Sequence, residues 1–375
     1  MSELKEKIGS FLSKATRNAN LVKIIVRIIG GLLIFLIIYW IYSKLNLNNA
    51  NCSAMDNLYK DFPMIRTINP NDDNFSHNLR DYYIKTAYNA CCAGRFKNDF
   101  VNLCALKNCI KQGARCLDFE VYSIDDKPVI ATSAVDDFTV KETFNSIPFS
   151  SMLETISLYA FSGSTCPNPG DPLIIHLRIM SKNKPIYSTM ANDLYNTLKR
   201  RLLGPGFSYE NRGKNLGIEP IKNLMGKVVI VVDKTNSLFE DTPLDEYVNI
   251  ASNSLFMRSV RFSQGTKYAP DMNEVIDFNK KHMTICLPDL NMDPNNPSSS
   301  LAMKYGCQMV AMSFQNFDAN MEYYDEFFDS TGSAFVLKPA PLRYIPVTIN
   351  LPAPPPEKYS YKERPVKSDY YSFTI

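Results

Sequence analysis

Histidine is scarce, with three in 375 residues, and among nine cysteines there is no Cys-x-x-Cys pair. The common zinc frameworks are therefore excluded. Charge of either sign is also lacking in excess. Lys and Arg number 41 against 38 Asp and Glu, a net charge of +3. A balance that small gives no electrostatic case for a nucleic-acid partner. No internal repeat is visible. Hydrophobic residues at 45% and charged residues at 21% exclude a chain disordered throughout.

What is present begins at the amino terminus. Val22 to Tyr42 is apolar apart from Lys23 and Arg27 at its start. A membrane-spanning helix needs about 20 such residues. The two cations can snorkel to one interface, and Trp40 and Tyr42 suit the other. A signal peptide fits less well, because its charged region would be too long and no A-x-A site follows. Lys5, Lys7, Lys14, Arg17, Lys23 and Arg27 precede or open the span, and Lys44 is the nearest cation after it. The positive-inside rule then predicts a cytosolic N-terminus, with the rest on the lumenal or extracellular side. Leu4, Ile8, Phe11 and Leu12 follow helical spacing, so the first turns are expected on the membrane surface. Asn51-Cys52-Ser53 and Asn74-Phe75-Ser76 are N-glycosylation sequons on the predicted far side. An odd cysteine count leaves at least one thiol unpaired or bridging to another chain. Buried thiols and one to three disulfides in an oxidising compartment both fit the rest.

The reading divides the chain into a cytosolic basic amphipathic segment 1–21, a transmembrane helix 22–43, a polar linker 44–78, a large domain 79–343 and a Pro/Tyr-rich tail 344–375. Within the large domain apolar runs predict strands at 80–88, 115–121, 128–132, 172–178, 227–232, 256–262, 282–287 and 308–314. Val228-Val229-Ile230-Val231-Val232 has the continuous β-branched character of a strand buried on both faces of a parallel sheet. Helices are predicted at 101–112, 149–161, 187–202, 244–252 and 271–281. Eight strands with intervening helices suit a (β/α)8 barrel, though periodicity alone does not separate it from a doubly wound sheet. Pro346, Pro352, Pro354, Pro355, Pro356 and Pro365 predict an extended or disordered tail. It could serve as a proline-recognition ligand only for a cytosolic partner.

Three stretches carry a family resemblance. Gly113-Ala114-Arg115-Cys116-Leu117-Asp118-Phe119-Glu120 resembles the Gly-Cys-Arg-Cys-(Val/Leu)-Glu-Leu-Asp strand of eukaryotic phosphoinositide-specific phospholipase C. Leu224-Met225-Gly226-Lys227-Val228-Val229-Ile230 is similar to that family's Leu-Lys-Gly-Lys-Ile-Leu strand. Tyr305-Gly306-Cys307-Gln308-Met309-Val310-Ala311-Met312-Ser313-Phe314-Gln315, followed by Phe335-Val336-Leu337-Lys338-Pro339, resembles the close of its Y region. The resemblance covers residues 79–343. It implies an α/β fold, a TIM-type barrel built from the X and Y regions, with its site at the C-terminal strand ends. No EF-hand loop is visible, and the residues after 343 are too few for a C2 domain.

The resemblance also implies a chemistry: attack by the inositol 2-hydroxyl, two supporting histidines, a calcium ion on four side chains, and cations on the headgroup phosphates. Leu79-Arg80-Asp81-Tyr82-Tyr83-Ile84 sets the register for the first strand. The first histidine position then holds Tyr88, and the calcium-ligand Asn is kept as Asn89. Two further ligand positions hold Asp118 and Glu120. The second histidine position holds Thr132, and the last calcium-ligand Glu position holds Arg178. The headgroup lysine positions hold Val231 and Asp233, the phosphate-binding serine persists as Ser259, and no arginine stands near Thr284 or Ile285. His77 precedes Asp118 by 41 residues where the family spacing is about 30, which Tyr88 fits. His176 reads as an inner-layer residue and His282 as structural.

Asp118 and Glu120 are two apart on a strand and share a face. Two close carboxylates need a cation, or one takes a proton. Arg178 arrives where a third acidic ligand would stand. Its guanidinium could replace calcium with an internal ion pair, or turn to solvent and do nothing. No cofactor is therefore expected, calcium being the one a degenerate site could still hold. The function expected is a membrane-anchored phospholipase C-like pseudo-enzyme acting as a binding or structural module. Its partners would be the membrane and either a phosphoinositide headgroup or a protein. Two alternatives remain open: a phosphoric diester hydrolase of altered chemistry on phosphatidylinositol-type lipids, and a displayed surface or particle-envelope protein.

Overall fold

The computed structural model describes residues 2–135, 140–208, 215–346 and 361–375. The side chains of Leu4, Ile8, Phe11 and Leu12 and the prolines 352, 354, 355 and 356 lie outside the described set. The chain forms two units, Met1–Arg343 and Tyr344–Ile375.

The first helix, α1, runs unbroken over Ser2–Leu58. Its segment Val22–Lys44 is long and apolar enough to cross a membrane and is not buried against the protein. The predicted linker 44–78 is thus helical to Leu58. Asn46, Asn48, Asn49 and Asn51 are poor helix formers, which made this stretch read as a loop, but tertiary contacts override the propensity. Met55 and Tyr59 are buried, and Tyr59 Oη donates to the Phe314 carbonyl at 2.7 Å.

The barrel staves are β1 (Tyr82–Ala87), β2 (Cys116–Ile124), β5 (Leu173–Ile179), β6 (Val228–Asp233), β7 (Ile250–Ser252), β8 (Met257–Arg261), β9 (Met283–Leu287) and β10 (Met309–Met312). Their order is β7-β6-β5-β2-β1-β10-β9-β8, with parallel ladders throughout. Residues 253–256 join β7 to β8 and bring the ends of the path into contact, a near-closed ring. The helices are α2 (Leu103–Lys111), α3 (Phe149–Tyr159), α4 (Pro185–Leu198), α5 (Met272–Lys281), α6 (Ser299–Lys304) and α7 (Ala319–Thr331). The β-branched run of β6 is buried along its whole length, as a stave covered on both sides requires.

Two of the expected barrel elements are corrected. The strand at 128–132 exists as β3 (Lys127–Ala131), but it folds back antiparallel on the outer half of β2 and is not a stave. The missing stave is β7, inside the predicted helix 244–252. There only Asp245–Tyr247 makes a helical turn, and Ile250 to Ser252 ladder onto β6. Two short strands complete the large unit. β4 (Ile147–Pro148) pairs with β3, and β11 (Phe335–Leu337) pairs antiparallel with β1. In the tail, β12 (Pro365–Lys367) and β13 (Ser372–Thr374) form a hairpin, where extended or disordered chain was expected.

One disulfide, Cys52–Cys104, ties α1 to α2, and the other seven cysteines are buried free thiols.

Candidate functional site

In a parallel barrel the C-terminal strand ends share one face, the mouth, and side chains two apart on a stave point the same way. The β2–β5 ladder sets Asp118 opposite His176 and Glu120 opposite Arg178. Asn89 follows β1 in a left-handed conformation (φ 43°), which asparagine tolerates better than most residues. Its backbone N–H donates to Asp118 Oδ2 at 3.2 Å.

Arg178 sits at the centre of these groups. Its Nε donates to Asp118 Oδ1 at 3.0 Å and its Nη1 to Glu120 Oε1 at 2.8 Å. Its Nη2 donates to Asp118 Oδ2 at 2.7 Å and to Asn89 Oδ1 at 3.0 Å. Asn89 Nδ2 reaches Glu120 Oε1 at 3.1 Å. Glu120 Oε2 accepts from Tyr122 Oη at 2.8 Å and from the Ser133 N–H at 2.9 Å. Asp118, Glu120 and Arg178 are at most 4% exposed. Burial works against the Asp118 carboxylate, but the Arg178 charge and the His176 hydrogen bond outweigh it and hold the group well below the usual carboxylate range. Burial likewise opposes the Arg178 charge, and Asp118, Tyr88 and Glu120 more than offset it.

These residues do not fit a calcium ion. Calcium takes six to eight oxygens at about 2.3–2.6 Å. Here every oxygen of Asn89, Asp118 and Glu120 side chains already accepts a hydrogen bond, and a guanidinium stands among them. Among the described residues no group of three His, Cys, Asp or Glu is placed to hold a metal.

The histidine positions of the resemblance behave differently from each other. Tyr88 lies at the cluster, with the Arg178 guanidinium 4.9 Å from its ring centre and its Oη accepting from Arg261 Nη1 at 3.1 Å. Burial raises its phenol, against the pull of both arginines. Thr132 is buried and its Oγ1 donates to the Phe96 carbonyl at 3.0 Å. It reaches the cluster through its neighbour, Ser133. His77 is at the other end of the barrel, 3.2 Å from Arg343 Nη1. His282 packs against Phe256 and Phe278.

His176 does more than fill a layer. Its Nδ1 lies 2.7 Å from Asp118 Oδ1 and its Nε2 2.9 Å from Ser252 Oγ. A carboxylate only accepts, so Nδ1 carries the proton. The order Asp118–His176–Ser252 is that of an acyl-transfer triad. All three residues are fully buried, so no substrate reaches Ser252. The array instead orders Asp118 Oδ1, the oxygen that also accepts from Arg178 Nε.

Beside the closed cluster the mouth is open. A cavity of about 420 Å³ is lined by Ile179, Met180, Asp233, Asn253, Ser259 and Arg261, among others, with Arg178 on its wall. Asp233 Oδ1 holds the Thr235 N–H at 2.8 Å and Asn253 Nδ2 at 2.9 Å. The Ser259 N–H donates to Asn253 Oδ1 at 3.1 Å. Arg261 bridges Tyr88 to the Pro288 carbonyl, the latter at 2.9 Å. Sequence reasoning missed Arg261. The signal was there, because it stands two residues after Ser259 on one stave and so shares its face.

The family models for phosphatidylinositol-specific phospholipase C match twice in order: the X domain over residues 75–234 and the Y domain over 239–341. The chain belongs to the phosphatidylinositol-specific phospholipase C family. Among solved structures, PLC21 of L. pealei aligns with a TM-score of 0.59 at 19% identity, over 72% of this chain and 38% of that one. PLC21 of S. officinalis aligns with a TM-score of 0.58, at the same identity and coverage. At that identity the likeness establishes the phospholipase C-like barrel fold. The chain spans about two fifths of the length of these relatives. No curated protein matches it.

Proposed function

We propose that this protein is a membrane-anchored phospholipase C-like barrel that does not hydrolyse phosphodiesters and serves as a binding or structural module. The observation that carries this reading is Arg178, whose three guanidinium nitrogens are committed to Asp118, Glu120 and Asn89. The resemblance places calcium there to offset charge developing on phosphate. A guanidinium already neutralised by two carboxylates cannot do that. Two general acid–base groups, typically worth about 10²–10⁴-fold each, are replaced by Tyr88 and Thr132. A phenol raised by burial does not exchange its proton near neutral pH. Binding is assigned to the open cavity beside Ser259 and Arg261, with a phosphoinositide headgroup or a protein segment as its occupant.

The anchor is Val22–Lys44, with the N-terminus cytosolic and the barrel on the lumenal or extracellular side. The basic residues before the span support that orientation. The Cys52–Cys104 disulfide suits an oxidising compartment. Of the two sequons, Asn74 is exposed, whereas Asn51 Nδ2 donates to Asp99 Oδ1 at 2.8 Å inside a helix. A glycan removed by Asn74→Gln would report the orientation.

The deciding test is inositol phosphate release from phosphatidylinositol and its bisphosphate by the reconstituted full chain, with and without calcium. No release above a heat-denatured control is expected. Calcium-dependent release that Asp118→Ala abolishes would overturn the reading.

A further inference from the structure

The open half of the mouth carries unmet hydrogen-bonding groups, and their kind narrows the ligand. Asp233 ends β6, lines the cavity and is 8% exposed. Its Oδ1 accepts from the Thr235 N–H and from Asn253 Nδ2. Among the described residues nothing donates to its Oδ2. A buried carboxylate oxygen without a donor is costly. Asn253 cannot serve it, because the second proton of its Nδ2 goes to Thr235 Oγ1 at 2.9 Å and its Oδ1 accepts from the Ser259 N–H.

The facing wall is β8 and the turn after it. Ser259 Oγ and the Gln264 amide line the cavity with no partner among the described residues. Gln264 is carried there by a single π-helical turn, Ser263–Lys267, a form frequent at functional sites. The turn closes on β8 because Gly265 has no side chain: a Cβ there would stand 2.4 Å from Val260 Cβ. Ile179, Met180, Val260 and Leu287 supply an aliphatic surface.

Charge decides between ligands. Arg178 comes with Asp118 and Glu120, so that group carries one net negative charge. Asp233 adds a second, and Arg261 returns one positive charge. Lys182, Lys234, Arg258 and Lys267 are near the wall in sequence but do not line it. Lys234 is paired with Glu240 and Arg258 with Glu274. A ring bearing several phosphates would therefore meet a net negative wall, and Arg261 disfavours a cationic ligand. A polyol meets what each group lacks. Its hydroxyls donate to Asp233 Oδ2, in the stronger class of hydrogen bonds to charge, and accept from Ser259 and Gln264. Its C–H edges lie on the aliphatic surface, the mixture usual for a small-molecule pocket.

We propose that this cavity binds an uncharged polyol ring, and that Asp233 is the residue that keeps ring phosphates out. The ring has two sources, an inositol headgroup without ring phosphates or a sugar of a glycan. This rests on the binding reading above and narrows it, and the experiment separates the two.

The full chain in detergent is titrated with glycerophosphoinositol, whose ring is unphosphorylated, with methyl glycosides of mannose, glucose and galactose, and with inositol trisphosphate. At least one polyol is expected to bind. The trisphosphate is expected to displace it with an affinity lower by about tenfold or more, as like charges brought together require. Asp233→Asn keeps the Oδ1 acceptor and removes the charge, so it should weaken the polyol, strengthen the trisphosphate and close most of that gap. Binding of glycerophosphoinositol gives the cavity to a lipid headgroup, and binding of a glycoside alone gives it to a glycan. Tighter binding of the trisphosphate, weakened by Ser259→Ala, would overturn the proposal and leave the binding reading intact. No binding of any of these ligands would overturn both. The wild-type series decides the selectivity even where a variant fails to fold.

Discussion

The two halves of the barrel mouth are built by the same alternation of inward-facing residues and end in opposite states. On the β1, β2 and β5 side, Asn89, Asp118, Glu120, His176 and Arg178 have every side-chain nitrogen and oxygen partnered. On the β6 to β9 side, Asp233, Asn253, Ser259 and Arg261 surround an open space of about 420 Å³. One half holds matched charge with no room, and the other holds room with little unmatched charge. The difference teaches that one side of a barrel mouth can be closed electrostatically without being filled. A single arginine, Arg178, takes up both carboxylates and leaves the pocket beside them open.

The strongest way to break the comparison is to remove the keystone. Arg178→Ala leaves Asp118 and Glu120 buried together without a counter-charge. Breaking a buried pair in this way typically costs about 3–5 kcal/mol. Urea unfolding of the full chain in detergent should show a loss of that size. A loss no larger than that of an exposed substitution would mean the cluster is not closed in solution.

A second substitution at the same place sharpens the point. Arg178→Glu puts a carboxylate where the resemblance has the fourth calcium ligand. The variant should be unstable alone and regain stability with calcium, by about 2.7 kcal/mol at a calcium concentration 100 times its Kd. Wild type should show no calcium-dependent shift in melting temperature. A wild-type shift that Asp118→Asn removes would mean that calcium displaces Arg178.

Acid probes the same half more gently. Asp118 titrates below its ordinary range in the folded chain. The unfolded chain therefore binds more protons as pH falls below about 4. The stability that Asp118 contributes is complete above that pH and is lost as pH falls through the folded value. Asp118→Asn should therefore be less stable than wild type at pH 7, by about 1.5–3 kcal/mol for a hydrogen bond to charge. The gap should narrow on acidification. Unfolding midpoints at pH 7 and pH 3 check it, and a gap that widens in acid would contradict the assignment.

Much of this was legible in the residues. Asp118 and Glu120 announce a shared face by their spacing, and the run Val228 to Val232 announces a buried stave. The family pattern brings Arg178 near Asp118 and Glu120, where a further acidic ligand would stand, and the β2–β5 ladder sets it opposite Glu120. What was not legible depended on distant partners. β7 is three residues long and carries no period of its own, so its neighbour β6 decides it. The extension of α1 to Leu58 through an asparagine-rich stretch depends on Asn102, Cys104 and Asn108, some 50 residues away. His176 could be assigned to the inner layer, but its link to Ser252 required the stave that was missed.

The smallest expected effect tests the open half. Ser259 is partly exposed, and the hydrogen bond that fixes its place runs from its backbone to Asn253. Ser259→Ala removes a hydroxyl that faces the cavity and leaves that backbone bond intact. Substitutions of this kind usually stay within about 0.5 kcal/mol. The same urea series that shows a large loss at Arg178 should therefore show almost none here. Wild type and Ser259→Ala should instead separate when a soluble inositol phosphate is titrated in, with the variant binding more weakly at unchanged stability. Equal binding by both would remove Ser259 from the cavity's recognition set. A large loss of stability would mean that the open half is held together by its polar groups after all, and the contrast between the halves would fail.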